Sequence, residues 1–124
     1  KISKLNLKKG IQAGLIDTVG FINNIPTQLI ESFKATLEEI HSADYLINVV
    51  DINDIDSENK IRITKKILRD TGVEEIKLSK MITVFNKIDI KQIESSNING
   101  KNYVSALTGE GINELKSSLT NLIN

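Results

Sequence analysis

Two apolar runs, Tyr45 to Val50 and Met81 to Phe85, limit what these 124 residues can fold into more than any other feature. A strand with one wet face alternates polar and apolar side chains. A run without that alternation needs cover on both faces, which is the condition of a strand inside a parallel sheet. Parallel neighbours need long crossovers, and the sequence supplies helical ones. Pro26-Thr27 opens a segment in which Leu29, Ile30, Phe33, Leu37 and Ile40 recur at helical spacing through about His41. Asp56 and Ser57 are suited to cap a second helix that Gly72 ends. A last helix follows Gly111, with Ile112, Leu115, Leu119, Leu122 and Ile123 on one side. Leu5 to Leu7 and Ile11 to Asp17 read as strands joined around Lys9-Gly10, with Thr18 to Pro26 a loop and Tyr103-Val104 a further strand. The expected class is α/β: a three-layer α/β/α arrangement around a mostly parallel sheet.

In such sheets ligands bind beyond the carboxyl ends of the strands. At that position, directly after Phe85, stands Asn86-Lys87-Ile88-Asp89. A carboxylate there can accept from two adjacent N–H donors, and guanine presents N1–H and its 2-amino group side by side. Adenine has no such pair, so Asp89 would select guanine by chemistry. Charge-assisted bonds of this kind contribute roughly 1.5–3 kcal/mol each. Asn86 would tie neighbouring loops together, and the aliphatic stem of Lys87 could cover the face of the base. An Asn-Lys-x-Asp sequence can equally be an ordinary turn, so its companions matter.

Asp17-Thr18-Val19-Gly20 follows the run from Ile11 to Ile16. An aspartate at a strand end can hold Mg²⁺ near phosphate oxygens, usually through water. Gly20 lets the backbone approach closely enough for its N–H to reach a terminal phosphate. Ser105-Ala106-Leu107 follows Asn102-Tyr103-Val104. There the Ala106 N–H could donate to guanine O6 while the Ser105 hydroxyl braces the loop. Each motif alone is a common turn. Three in this order, each after an apolar strand, point to a guanine nucleotide.

The block Asp17-Thr18-Val19-Gly20-Phe21-Ile22-Asn23-Asn24-Ile25-Pro26, with Leu29 to Glu39 after it, closely resembles the HflX family of ribosome-associated GTPases. Ala43 to Asp51 and Ser105 to Ile112 continue the likeness, which runs essentially the whole chain. The resemblance implies a G domain of the P-loop type that hydrolyses GTP to GDP and phosphate with Mg²⁺. It also implies a cytoplasmic protein that acts on the large ribosomal subunit. Phe21 stands where many related GTPases carry a glutamine that orients the attacking water. A phenyl ring cannot do that, so hydrolysis should be slow until a partner surface such as the ribosome completes the site. No residue stands out as a general base.

One departure is plain. No Gly-x-x-x-x-Gly-Lys-[Ser/Thr] run occurs, and Gly100-Lys101 lacks the spaced glycine and the hydroxyl. The expectation is therefore a partial G domain over residues 1–124, truncated at its N-terminal end and without the phosphate loop and first switch. By the resemblance, the strand before that loop would lie between the Ile11–Asp17 and Tyr45–Val50 strands. Two alternatives stand beside the GTPase: a degenerate guanine-nucleotide module that does not hydrolyse, and a ribosome or protein interaction domain that uses no nucleotide.

Composition removes other classes. Sixteen basic and sixteen acidic residues cancel, so net charge gives no argument for nucleic-acid binding. Zero cysteines exclude a disulfide scaffold or thiolate metal site and are compatible with a reducing cytoplasm. No apolar stretch approaches the length of a membrane span. Lys60, Arg62, Lys65, Lys66 and Arg69 form a basic helix whose default role is a solvated face, with contact to RNA phosphates the other reading. Asp51 ends a strand near the ligand edge, where capping the next turn is the favoured role. His41, the single histidine, suits a helix end. Phe33 and Phe85 suit the core.

The chain as it stands should bind GTP weakly or not at all, because nothing in it replaces the N–H groups and lysine of a phosphate loop. Isothermal titration with GTP and Mg²⁺ tests this, and micromolar binding would overturn it.

Overall fold

The structure is a computed structural model that describes residues 2–16, 30–91, 97–98 and 101–123. Strands β1 (Ile2–Asn6) and β2 (Gln12–Ile16) pair antiparallel, with Ile2 opposite Ile16 and Asn6 opposite Gln12. A short 3-10 turn over Lys8–Gly10 joins them, with Lys9 at φ 60° and Gly10 at φ 73°. Two successive left-handed residues reverse the chain, which explains why the Lys9-Gly10 signal marks the turn.

Helix α1 (Ile30–Ser42) leads to β3 (Ile47–Asp51), then α2 (Ser57–Asp70), the short α3 (Glu75–Ser79) and β4 (Ile82–Asn86). After β4 come α4 (Ile88–Lys91), β5 (Asn97–Ile98), β6 (Lys101–Tyr103) and α5 (Ile112–Ile123). The second sheet has the order β3-β4-β6-β5. Its β3–β4 and β4–β6 pairs are parallel, and β5 closes on β6 antiparallel. Among the described residues β3 is the end strand of this sheet, and β2 belongs to the separate hairpin.

The mostly parallel α/β architecture is present, and the physical reason is visible in β4. Val84 and Phe85 point to opposite faces and are both buried, so this strand is covered on each side. On one side Ile40, Leu68, Val73 and Leu78 form a core joined by Leu46 and Met81. Phe85 stacks on Tyr103 with ring centroids 5.3 Å apart. At the far end, α5 meets the hairpin turn, where the Lys8 N–H donates to Thr120 Oγ1 at 3.2 Å.

Element boundaries differ from the sequence expectation in instructive ways. Tyr45 and Leu46 precede β3, and Val104 follows β6, because apolarity reports burial rather than ladder pairing. Asp56 occupies the N-cap of α2 but its side chain makes no capping bond. Asp54 acts one turn earlier, accepting from the Asp56 N–H at 2.9 Å. Gly72 does end α2, at φ 96°. Helices α3 and α4 and strand β5 are too short to show a period in the sequence. The expected start of the first helix at Pro26-Thr27 and the loop from Thr18 to Pro26 fall outside the described residues.

Three of the five cations of the charged helix α2 meet an acid. Lys60 pairs with Asp54 at 2.5 Å, Lys66 with Asp70 at 2.8 Å, and Arg69 with Glu75, while Arg62 donates to Asn59. That pattern fits the solvated-face reading. His41 is exposed in the last turn of α1, and Lys77 Nζ donates to its carbonyl at 2.9 Å.

Leu68 is 2% exposed at the centre of the core, so Leu68→Ala should cost about 2–5 kcal/mol in a denaturant titration. Ile76→Ala, at a side chain 61% exposed, should stay within about 0.5 kcal/mol.

Candidate functional site

Strands β4 and β6 run parallel with Val84 opposite Asn102 and Phe85 opposite Tyr103. The two loops that leave their carboxyl ends, 86–89 and 104–110, are therefore neighbours. Backbone bonds join them: Val104 N–H donates to the Phe85 carbonyl at 2.8 Å, and Ile88 N–H to the Val104 carbonyl at 3.2 Å. Ile88 is fully buried and anchors the first loop in the core, so this member of the predicted set serves as a foot rather than a wall. Lys87 takes φ 71°, a left-handed conformation that costs an L residue about 1–2 kcal/mol. It turns the chain so that Ile88 goes inward while Asn86, Lys87 and Asp89 face the edge.

Side chains complete the junction. Ser105, fully buried, donates its hydroxyl to Asp89 Oδ1 at 2.7 Å and accepts from the Thr108 N–H at 3.1 Å. The Asp89 carboxylate is thereby held in one orientation. Its other oxygen, Oδ2, takes no hydrogen bond among the described residues. Asn86 Oδ1 accepts from the Ala106 N–H at 2.9 Å. The tie between loops expected of Asn86 is present. The same bond engages the Ala106 N–H that the sequence reading offers to a base.

The loops enclose an open cleft of about 450 Å³ lined by Asn86, Lys87, Asp89, Ile90, Ala106 and Leu107. Ile90 is 65% and Leu107 85% exposed, so the cleft offers apolar walls beside a braced carboxylate. Such a mixture suits a flat heterocycle with polar edges. Of the predicted site residues, Asn86, Lys87, Asp89, Ser105, Ala106 and Leu107 come together here. Asp17, Thr18, Val19 and Gly20 lie outside the described residues, as does Phe21.

Two residues outside the predicted set, Asp51 and Asn53, contact the cleft residue Lys87. Asp51, at the end of β3, ion-pairs with Lys87 Nζ at 3.3 Å through Oδ2. Its Oδ1 accepts from the Asn53 N–H at 2.9 Å and from Asn53 Nδ2 at 3.1 Å. Turn capping by Asp51 is thus present, and the link to Lys87 is added to it. The Asn53 backbone N–H chiefly holds the Asp51 carboxyl below its ordinary range against the opposing effect of burial, with lesser help from the Asn53 amide and the Lys87 ammonium. No sequence signal could have found this link, because Asp51 comes opposite Asn86 only once β3 and β4 pair in register.

Comparison with known proteins now bears on the chain. It is 40% identical over 116 residues to GTPase HflX of Caldanaerobacter subterraneus subsp. tengcongensis, covering 94% of the chain and 26% of that protein. It is 40% identical over 122 residues to GTPase HflX of Magnetococcus marinus, covering 93% and 27%. The chain belongs to the HflX family. It spans about a quarter of the length of these HflX relatives. Putative GTP-binding protein 6 of Xenopus laevis is 36% identical over 104 residues, covering 84% of the chain and 20% of that protein. No protein-family model matches. Among solved structures, a serine variant of SsGBP superposes with TM-score 0.74 at 25% identity, covering 98% of the chain and 46% of that protein. A proline variant gives 0.71 at 22%, with the same coverage. These likenesses agree with the α/β fold seen in this HflX-family chain.

Ser105→Ala removes both the brace on Asp89 and the acceptor for the Thr108 N–H. It should cost about 1–3 kcal/mol in a denaturant titration. Ser105→Thr, which keeps the hydroxyl, should retain the Asp89 chemical shift in the nuclear magnetic resonance spectrum, whereas the alanine variant should not.

Proposed function

We propose that the chain carries the guanine-recognition edge of a GTPase that hydrolyses GTP to GDP and phosphate and acts on the large ribosomal subunit. The observation that carries this reading is the Asp89 carboxylate, oriented by Ser105 at the mouth of a cleft walled by Ile90 and Leu107. One oxygen is engaged by the brace and the other faces no donor among the described residues. An oriented, half-buried carboxylate is the acceptor that adjacent N1–H and 2-amino donors need. The methylene stem of Lys87 would cover one face of the base. When base O6 arrives, the Ala106 N–H would be shared between it and Asn86. Leu107, next in the same loop, adds apolar contact.

The phosphate end of the site rests on Asp17, Thr18, Val19 and Gly20. A single carboxylate supplemented by water and phosphate oxygens is the hard-oxygen donor set that Mg²⁺ takes. Asp17 would hold that ion, which when bound would offset charge on the phosphates. Gly20 would bring its N–H to the terminal phosphate, and Thr18 and Val19 would shape the turn between them. Phe21 supplies no group to position water. The hydrolytic step would therefore depend on a partner surface, and the ribosome is the partner that the family resemblance implies. Among the described residues no helix is long and apolar enough to cross a membrane. The cytoplasmic location proposed with this function rests on the family resemblance.

Asp89→Asn in the full-length protein tests the base assignment. The variant amide donates to the 2-oxo group of xanthine, which the native carboxylate repels. GTP affinity should fall roughly ten- to a hundredfold and xanthosine triphosphate affinity should rise. Unchanged GTP affinity in competition titrations would sink the assignment.

A further inference from the structure

We propose that Asp51 and Asn53, at the end of the neighbouring strand, are positioning residues that pre-order Lys87 as a wall of the base cleft. The proposal rests on the guanine reading above and adds to it a pair of residues outside all three of its motifs. The register supplies the first element. Asp51 pairs with Asn86 across parallel strands β3 and β4, so it stands beside the residue that precedes Lys87. The side chains supply the second. Asp51 Oδ2 holds the Lys87 ammonium at 3.3 Å, while Oδ1 is itself held by the backbone and side-chain N–H groups of Asn53. Asn53 Nδ2 also reaches the Lys87 carbonyl at 3.5 Å. The Ile52 N–H donates to the Asn86 carbonyl at 3.0 Å. Lys87 is therefore gripped from β3 at its ammonium and at its carbonyl, and its left-handed backbone is bracketed by both contacts.

A lysine has four rotatable side-chain bonds and is normally among the last groups to be ordered. Here 52% of the side chain remains exposed, so packing does not order it. The Asp51 contact does. With the ammonium fixed, the methylene stem is presented to the cleft before a ligand arrives, and the ordering cost of that side chain is removed from the binding step. Asp51 touches no base in this arrangement; it acts through Lys87.

The test uses the full-length protein and the fluorescent probe N-methylanthraniloyl-GDP. Asp51→Asn is the chosen variant, because an amide oxygen still accepts from the Asn53 N–H and the turn is preserved. Its probe Kd should rise roughly threefold to tenfold, mainly through faster dissociation. In a Lys87→Ala background the same change should have no further effect, since the group it positions is gone. A merely structural role would weaken both backgrounds alike. Asp89→Asn is run beside them to test the base reading itself. If that control shifts preference to xanthine while Asp51→Asn binds like the native protein, or adds its full effect to Lys87→Ala, the positioning role is overturned and the base reading stands. If the control leaves guanine preference intact, both fall.

Discussion

The junction between the ends of β4 and β6 is the contact on which the candidate site depends. Two parallel strands in register bring two loops together, but parallel pairing alone leaves loops free to splay. Here the Ile88 N–H reaches across to the Val104 carbonyl, and its side chain is entirely buried. Ser105, also entirely buried, closes the other side through Asp89. Each loop is thus fastened by a core residue belonging to the motif itself. Leaving a buried hydroxyl or N–H unpaired costs about 1–3 kcal/mol, so neither loop can shift without exposing an unsatisfied group. The polar members of the motif gain their orientation from the apolar one.

The apolar runs made the parallel sheet legible; two-face cover holds for β4, whereas in the end strand β3 Val49 is 62% exposed. Met81 to Phe85 became β4 almost residue for residue, and its carboxyl end fell where the motif required. Short elements were not legible. Helix α4 has four residues and β5 two, and neither length shows a period. The N-cap of α2 shows a different limit. Composition marks Asp56 and Ser57 as caps, but the side chain that bonds there, Asp54, is set by the path of the chain out of β3. Asp51 and Asn53 were missed as partners of the site because nothing in a linear sequence displays cross-strand register.

Electrostatics in this chain are local. The sum of charges is zero, and α2 shows how that sum is distributed. Lys60, Lys66 and Arg69 each meet an acid from their own helix or an adjacent segment. These pairs are exposed and screened by solvent, so they add little to stability. Their consequence is for recognition rather than stability, since pairing three of the five cations reduces the field that the helix projects toward a distant polyanion.

The Asp51–Lys87 pair is equally exposed, yet it differs in what it joins. An ion pair on a helix surface connects groups that the helix already holds close. Asp51 ends β3 and Lys87 follows β4, so their contact couples the end of one strand to the loop after another. Its carboxyl is held below the ordinary carboxylate range, so the stabilisation it confers is present above the unfolded-state pKa and is lost as pH falls through the lowered folded value. The pair is therefore intact throughout the neutral range. A modest interaction of this kind matters little to the stability of the fold. It matters at the cleft because Lys87, with its left-handed backbone and long side chain, is the wall residue with the most freedom to lose.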